Sequence, residues 1–299
     1  MTLLFWLLTA GPAVLGILLG IALWMARRGR RPAPMTRSVR APVGAAAGLL
    51  AVLVVIELLR SLFPLSIGQE LFFLHDWRFV LPLLLGIVAL VVLLFPYRPR
   101  RGGGTAELHR RTPFSYAGRG ALALLGILSV LSLGLALFAG FLSRPDDEGQ
   151  YRMFWIELGE MRGGSDIYGW YFSVPALAVL AVLLVLVVMN LVLIARPPLT
   201  GDIEEDRASR RFRTRAVLSL SSAAVALHLT AVFAFLAATS MMSVTPDAID
   251  ASIGTSFAAL TPVLWVASGL ATVVGTGLCV DVLLSALPLG IRRDRPVAV

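Results

Sequence analysis

The chain has 299 residues, of which 58% are hydrophobic and 15% are charged. Soluble domains carry about 25% charged residues, so this composition excludes an ordinary soluble protein and indicates a membrane protein. The net charge of +8 does not indicate nucleic-acid binding, because the basic residues lie in short blocks between apolar runs. Such blocks are typical of the signals that orient membrane proteins.

Seven apolar runs follow one another along the chain. A helix of about 20 residues crosses a hydrocarbon core of about 30 Å, and most of the runs reach this length. The first run has no basic residue before it, unlike a cleaved signal peptide. We therefore predict an all-α polytopic bundle that forms a single transmembrane domain over 1–299, with about seven transmembrane helices at 3–25, 41–63, 79–95, 120–142, 172–194, 216–239 and 257–280.

The arginines predict the orientation of this bundle. All 26 basic residues are Arg, and 21 of them lie in the alternate segments 26–40, 97–119, 196–215 and 291–299. Positively charged loops stay in the cytoplasm, so the N-terminus is predicted outside and the C-terminus inside. The exclusive use of Arg indicates a GC-rich bacterial genome, which predicts the bacterial cytoplasmic (inner) membrane. The inner arginines would contact anionic lipid headgroups there.

Two segments between the spans have a pattern of their own. In the outer loop 143–171, five apolar residues recur at helical spacing and predict a short amphipathic helix: Tyr151, Phe154, Trp155, Leu158 and Met161. On the inside, 196–215 is predicted as a charged helix that continues into the sixth span. Acidic residues fill its first turn and arginines follow, which suits the helix dipole. We predict that this helix docks a protein partner through Glu204, Glu205, Asp206, Arg210 and Arg211.

Ionisable residues inside the spans are the first candidates for a functional site. Glu57 lies about 9 Å inside the outer end of the second span. It could bind a cation or relay a proton, or it could simply pair with Arg60 at i+3. Asp281, near the inner end of the last span, could face a cavity or pair with Arg292 and Arg293.

Other polar and small residues in the spans have simpler interpretations. His228 is the only histidine within a span, so an interhelical hydrogen bond is favoured over haem ligation. Asn190 is a similar polar core candidate. Two GxxxG patterns predict close helix packing, inside the chain rather than between copies: Gly16 with Gly20, and Gly44 with Gly48.

No nucleotide, zinc-protease or hydrolase motif occurs. The single Cys279 excludes an intrachain disulfide, and no cofactor or metal is predicted. Three functional hypotheses stay open. The first is a non-enzymatic subunit or accessory of a multiprotein transport or export complex. The second is a self-contained small-molecule or ion transporter with Glu57 as coupling residue. The third is an intramembrane redox or enzymatic protein.

Overall fold

The computed structural model describes residues 10–28, 37–62, 77–95, 116–158, 161–195, 203–245 and 253–287. Helices dominate this part of the chain. They are α1 Gly11–Arg28, α2 Arg37–Leu62, α3 Leu81–Leu94, α4 Arg119–Leu142, α5 Trp170–Ala195, α6 Ile203–Ser240 and α7 Thr261–Ala286. A single 3-10 turn, Ala258–Leu260, precedes α7.

Five of these helices, α2 and α4 to α7, are long and apolar enough to cross a membrane. Two apolar helices are shorter, at Gly11–Arg27 and Leu81–Leu94. The structure therefore shows a helical multi-pass bundle. The count of seven spans and the sides on which the termini lie stay predictions.

The helix α6 is the centre of the bundle. It has 38 residues, and most of its apolar part is buried, in contrast to the other spans. Its small residues explain this position, since Ala223, Ala224 and Ala226 let neighbouring helices approach closely. It packs most extensively along α7, and α7 packs in turn along α1.

The close contact between α1 and α7 depends on glycines, which have no side chain. A Cβ atom at Gly16 would come within 2.7 Å of Thr276 Cβ, and one at Gly20 within 2.7 Å of the Gly277 carbonyl. These two glycines thus lie against α7 inside one chain. The second glycine pair is looser, because a Cβ at Gly44 would lie 3.5 Å from Ala286 and one at Gly48 would meet no described atom within 4 Å.

The segment between α4 and α5 is a small antiparallel sheet and not the predicted amphipathic helix, so that prediction is wrong. Its strands are β1 Arg144–Pro145, β2 Tyr151–Leu158 and β3 Met161–Asp166, in the order β1-β2-β3. Phe154 and Ile156 are buried while Glu157 is exposed, an alternation with the period of a strand. Aromatic and β-branched residues such as Phe154 and Ile156 favour a strand, and they pair with β3, which contains Gly163 and Gly164.

Those two glycines also make room in the sheet. A Cβ atom at Gly164 would overlap the ring of Trp155, and one at Gly163 would overlap the side chain of Val244. A second short pairing joins β4 Ser243–Val244 to β5 Ile253–Gly254. A hydrogen bond from Thr239 Oγ1 to the Asp166 carbonyl, 2.8 Å long, ties the larger sheet to the end of α6.

The bundle thus has two distinct ends. We call the end that carries β2 and β3 the hairpin end. The opposite end, where Arg27, Arg210, Arg213 and Arg215 lie, is the arginine end.

Candidate functional site

The arginine end contains a buried carboxylate held by two arginines. Asp281 of α7 is fully buried, and its Oδ2 atom pairs with Arg27 Nη1 of α1 at 2.8 Å and with Arg215 Nη2 of α6. The side chains of Arg27 and Arg215 are 43% and 34% exposed. A single acidic residue therefore joins three helices, and each guanidinium still reaches the surface. The alternative partners Arg292 and Arg293 lie outside the described residues.

The N-terminal part of α6 is fixed to its neighbours just beyond this cluster. Arg210 is buried and donates from Nε to Asp206 Oδ2 at 2.8 Å, and its Nη1 donates to the carbonyl of Ile194 at the end of α5. Arg213 Nη2 donates to the carbonyl of Leu93 near the end of α3 at 3.3 Å. Carbonyls at a helix C-terminus have no partner inside their own helix, so arginine donors there satisfy them and complement the dipole.

These contacts divide the predicted docking residues into two groups. Asp206 and Arg210 are buried and act within the chain, so they do not belong to an exposed docking surface. Glu204 and Arg211 are exposed. Arg207, which was not among the predicted docking residues, is exposed as well. The side chain of Glu205 lies outside the described residues.

The middle of the bundle contains a satisfied histidine. His228 is completely buried; its Nε2 lies 3.0 Å from Ser132 Oγ of α4 and its Nδ1 lies 2.7 Å from the Phe79 carbonyl. Both ring nitrogens are therefore engaged by the chain. Asn190 donates from Nδ2 to the carbonyls of Leu90 and Leu186, at 3.2 and 2.9 Å, so it joins α5 to α3.

The hairpin end contains a cleft of about 390 Å³ between α1, α2, α3, α6 and α7. We call it the hairpin-end cleft. Its wall is mainly apolar, and it carries a few polar groups from different helices. A concave apolar site of this size with a few convergent polar groups is the usual form of a small-molecule site. The residues that line it include Ala13, Glu57, Arg78, Thr230, Ala234 and Thr276.

Arg78 is held in place at this cleft by aromatic rings. Its guanidinium carbon lies 4.7 Å from the ring centre of Phe79 and 4.1 Å from that of Phe235, distances that allow cation–π attraction. Phe79 itself is buried among Tyr168, Phe172 and Phe235. The packed rings therefore keep a positive charge at the cleft, where Glu57 supplies a negative one.

Hydroxyl groups line the wall between α6 and α7. Thr272 Oγ1 donates to Thr230 Oγ1 at 3.2 Å, and Ser268 Oγ donates to the Thr230 carbonyl at 3.1 Å. Thr276 is buried and lines the cleft, and its Oγ1 has no hydrogen-bond partner among the residues that the structure describes. A buried hydroxyl in this state leaves one polar group at the cleft available to a ligand.

Comparisons with family models, with curated proteins and with solved structures find no match for this chain. Among the described residues, no three His, Cys, Asp or Glu side chains come together as metal ligands would.

The structure does not bring together the three ionisable candidates from the spans. Glu57 lies at the hairpin end, Asp281 at the arginine end and His228 between them. The side chain of Arg60 lies outside the described residues. Arg78, which lines the cleft together with Glu57, was not predicted as a site residue. Its position between Trp77 and Phe79 was a signal, since a charge flanked by aromatic residues is typical of a membrane interface.

Proposed function

We propose that the chain is a non-enzymatic membrane subunit that docks a cytoplasmic protein partner through the N-terminal part of α6. The observation that carries this proposal is the continuity of α6. The helix runs from its exposed charged residues near Glu204 into the buried centre of the bundle without a break. From Ile203 to Arg215 it extends by about 18 Å, at 1.5 Å per residue.

Exposed charges on this part of α6 share one face. Glu204, Arg207 and Arg211 are spaced at i, i+3 and i+7, so they lie along one side of the helix, and all three are exposed. The buried Asp206 and Arg210 lie beside this face, and Arg210 joins the helix to the end of α5. A partner that binds the exposed face would therefore contact a helix that is firmly joined to the core of the bundle. The arginine-rich loops support the view that this end faces the cytoplasm.

The test is recovery of the partner from membranes. The chain is purified in mild detergent, and the proteins that accompany it are quantified by mass spectrometry. A stoichiometric partner is expected with the unmodified chain. Arg211→Glu should lower its recovery about tenfold, because a charge-assisted contact is replaced by repulsion. Arg119→Glu is the matched control, since Arg119 is exposed at the start of α4, at the same end of the bundle. Equal recovery with both variants, or no partner at all, would contradict the proposal.

A second function is favoured by the position of Glu57 in the hairpin-end cleft. In this alternative the chain transports a small molecule or an ion by itself, with Glu57 as the coupling residue. The purified chain in liposomes that contain a pH-sensitive dye should then conduct protons under an imposed gradient. Glu57→Gln should abolish that flux, while Glu204→Gln, which changes an exposed carboxylate on α6, should leave it intact. Flux that survives Glu57→Gln would remove the coupling role.

A further inference from the structure

We infer that the hairpin-end cleft binds one phospholipid with an amine headgroup from the membrane leaflet at that end. The phosphate would lie at Arg78, the ammonium group at Glu57 and part of an acyl chain along the wall of α6 and α7. This binding site does not depend on the proposed docking of a partner at the opposite end.

The depth of the cleft matches the profile of a lipid molecule. Its charged groups lie near helix ends, since the Arg78 guanidinium lies against Phe235, five residues from the end of α6, and Glu57 is five residues from the end of α2. Trp77, which is 55% exposed, neighbours Arg78, and tryptophan is enriched at the level of the headgroups. Further from the helix ends, the cleft is lined mainly by apolar side chains, including Leu227 and Ala231 of α6. Charge is thus placed at headgroup depth and apolar surface at acyl depth.

The charges select the headgroup. Arg78 offers a guanidinium whose planar donors suit phosphate oxygens, and the rings of Phe79 and Phe235 hold it in position. Glu57 is exposed and lines the same cleft. A phosphate alone would be attracted by Arg78 and repelled by Glu57, whereas a phosphate that carries an ammonium group complements both. Each of the two side chains also interacts with other groups of the protein, which orders the site before a lipid arrives.

The test uses lipids with a photoactivatable group in the acyl chain. The full chain is reconstituted in nanodiscs with a phosphatidylethanolamine probe or with a phosphatidylglycerol probe of the same acyl chains. After illumination, labelled peptides are identified by mass spectrometry. We expect the ethanolamine probe to label the α6 and α7 peptides that line the cleft, about tenfold more than the glycerol probe does.

Variants separate this site from general lipid contact. Ala234→Trp fills the cleft and should lower labelling about tenfold, whereas Val266→Trp should leave it unchanged, because Val266 is 62% exposed on α7 and does not line the cleft. Arg78→Gln should lower labelling by both probes. Arg78→Lys keeps the positive charge and should retain most of the labelling, which shows that the loss in Arg78→Gln is not caused by misfolding. Glu57→Gln should remove the preference for ethanolamine. Equal labelling in Ala234→Trp and Val266→Trp, or equal labelling by the two probes, would overturn the proposal.

Discussion

The two ends of the bundle use charge in opposite ways. At the arginine end, Asp281 and Arg210 are buried and bound to groups of other helices. At the hairpin end, Glu57 and Arg78 line an accessible cleft. Buried charges require partners within the chain because leaving water costs several kcal/mol per ion. Glu57 is exposed and Arg78 is partly exposed at the cleft, so both can contact a ligand in addition to their partners in the chain. The buried charges of the arginine end therefore stabilise the fold, whereas the charges of the hairpin-end cleft suit the proposed lipid.

The largest effect should come from removing the buried carboxylate. Asp281→Asn leaves Arg27 and Arg215 close together without their counterion. We expect a loss of about 2–3 kcal/mol, below the full cost of breaking a buried pair because both arginines are partly exposed to solvent. Thermal unfolding in detergent, followed by circular dichroism, measures it. Asp147→Asn, at an exposed position near β2, is the control. If both variants were equally stable, the Asp281 cluster would not be structural.

Helix packing gives the next effect. Gly20→Ala places a Cβ within 2.7 Å of the Gly277 carbonyl and of Val280, so α1 and α7 must separate. We expect a loss of about 1–3 kcal/mol, as is typical of overpacking. Gly48→Ala meets no described atom within 4 Å and should be neutral or stabilising by about 0.5–1 kcal/mol, since alanine favours a helix. The same unfolding assay measures both variants. A Gly48→Ala variant less stable than Gly20→Ala would contradict the packing of α1 on α7.

A smaller effect is expected in the middle of the bundle, between the two ends. Ser132→Ala removes the partner of His228 Nε2 and leaves that buried atom without a hydrogen bond. We expect a loss of about 1 kcal/mol. Ser129→Ala is the control, because Ser129 bonds only the Leu125 carbonyl of its own helix. The difference in the free energy of unfolding between the two variants measures the contribution of the interhelical hydrogen bond. Equal stability would show that this bond contributes nothing.

Much of the helical architecture was predictable, because each apolar run is a local signal with the length of a membrane-spanning helix. The pairing of charges was not. Asp281 binds Arg27, which lies 254 residues away, and no spacing rule connects two residues at that distance. The sheet was missed for a different reason. Tyr151, Phe154 and Trp155 recur at helical spacing, but aromatic residues also favour a strand, and the spacing does not show that β2 pairs with β3.

The smallest predicted effect concerns acid stability at the hairpin end. Burial opposes ionisation of Asp146, but hydrogen bonds from the Gln150 backbone, the Arg152 side chain and the Glu148 backbone outweigh it and lower the pKa of the carboxyl below its ordinary value of 3.8. A carboxyl with a lowered pKa stabilises the fold above its unfolded pKa, and this contribution is lost as pH falls through the folded value. The sheet should therefore be less protected from hydrogen exchange below about pH 3.8. Asp146→Asn should show the weakened protection already at pH 7 and little further change in acid. If acid weakened the sheet of Asp146→Asn as much as that of the unmodified chain, Asp146 would not be the group that titrates.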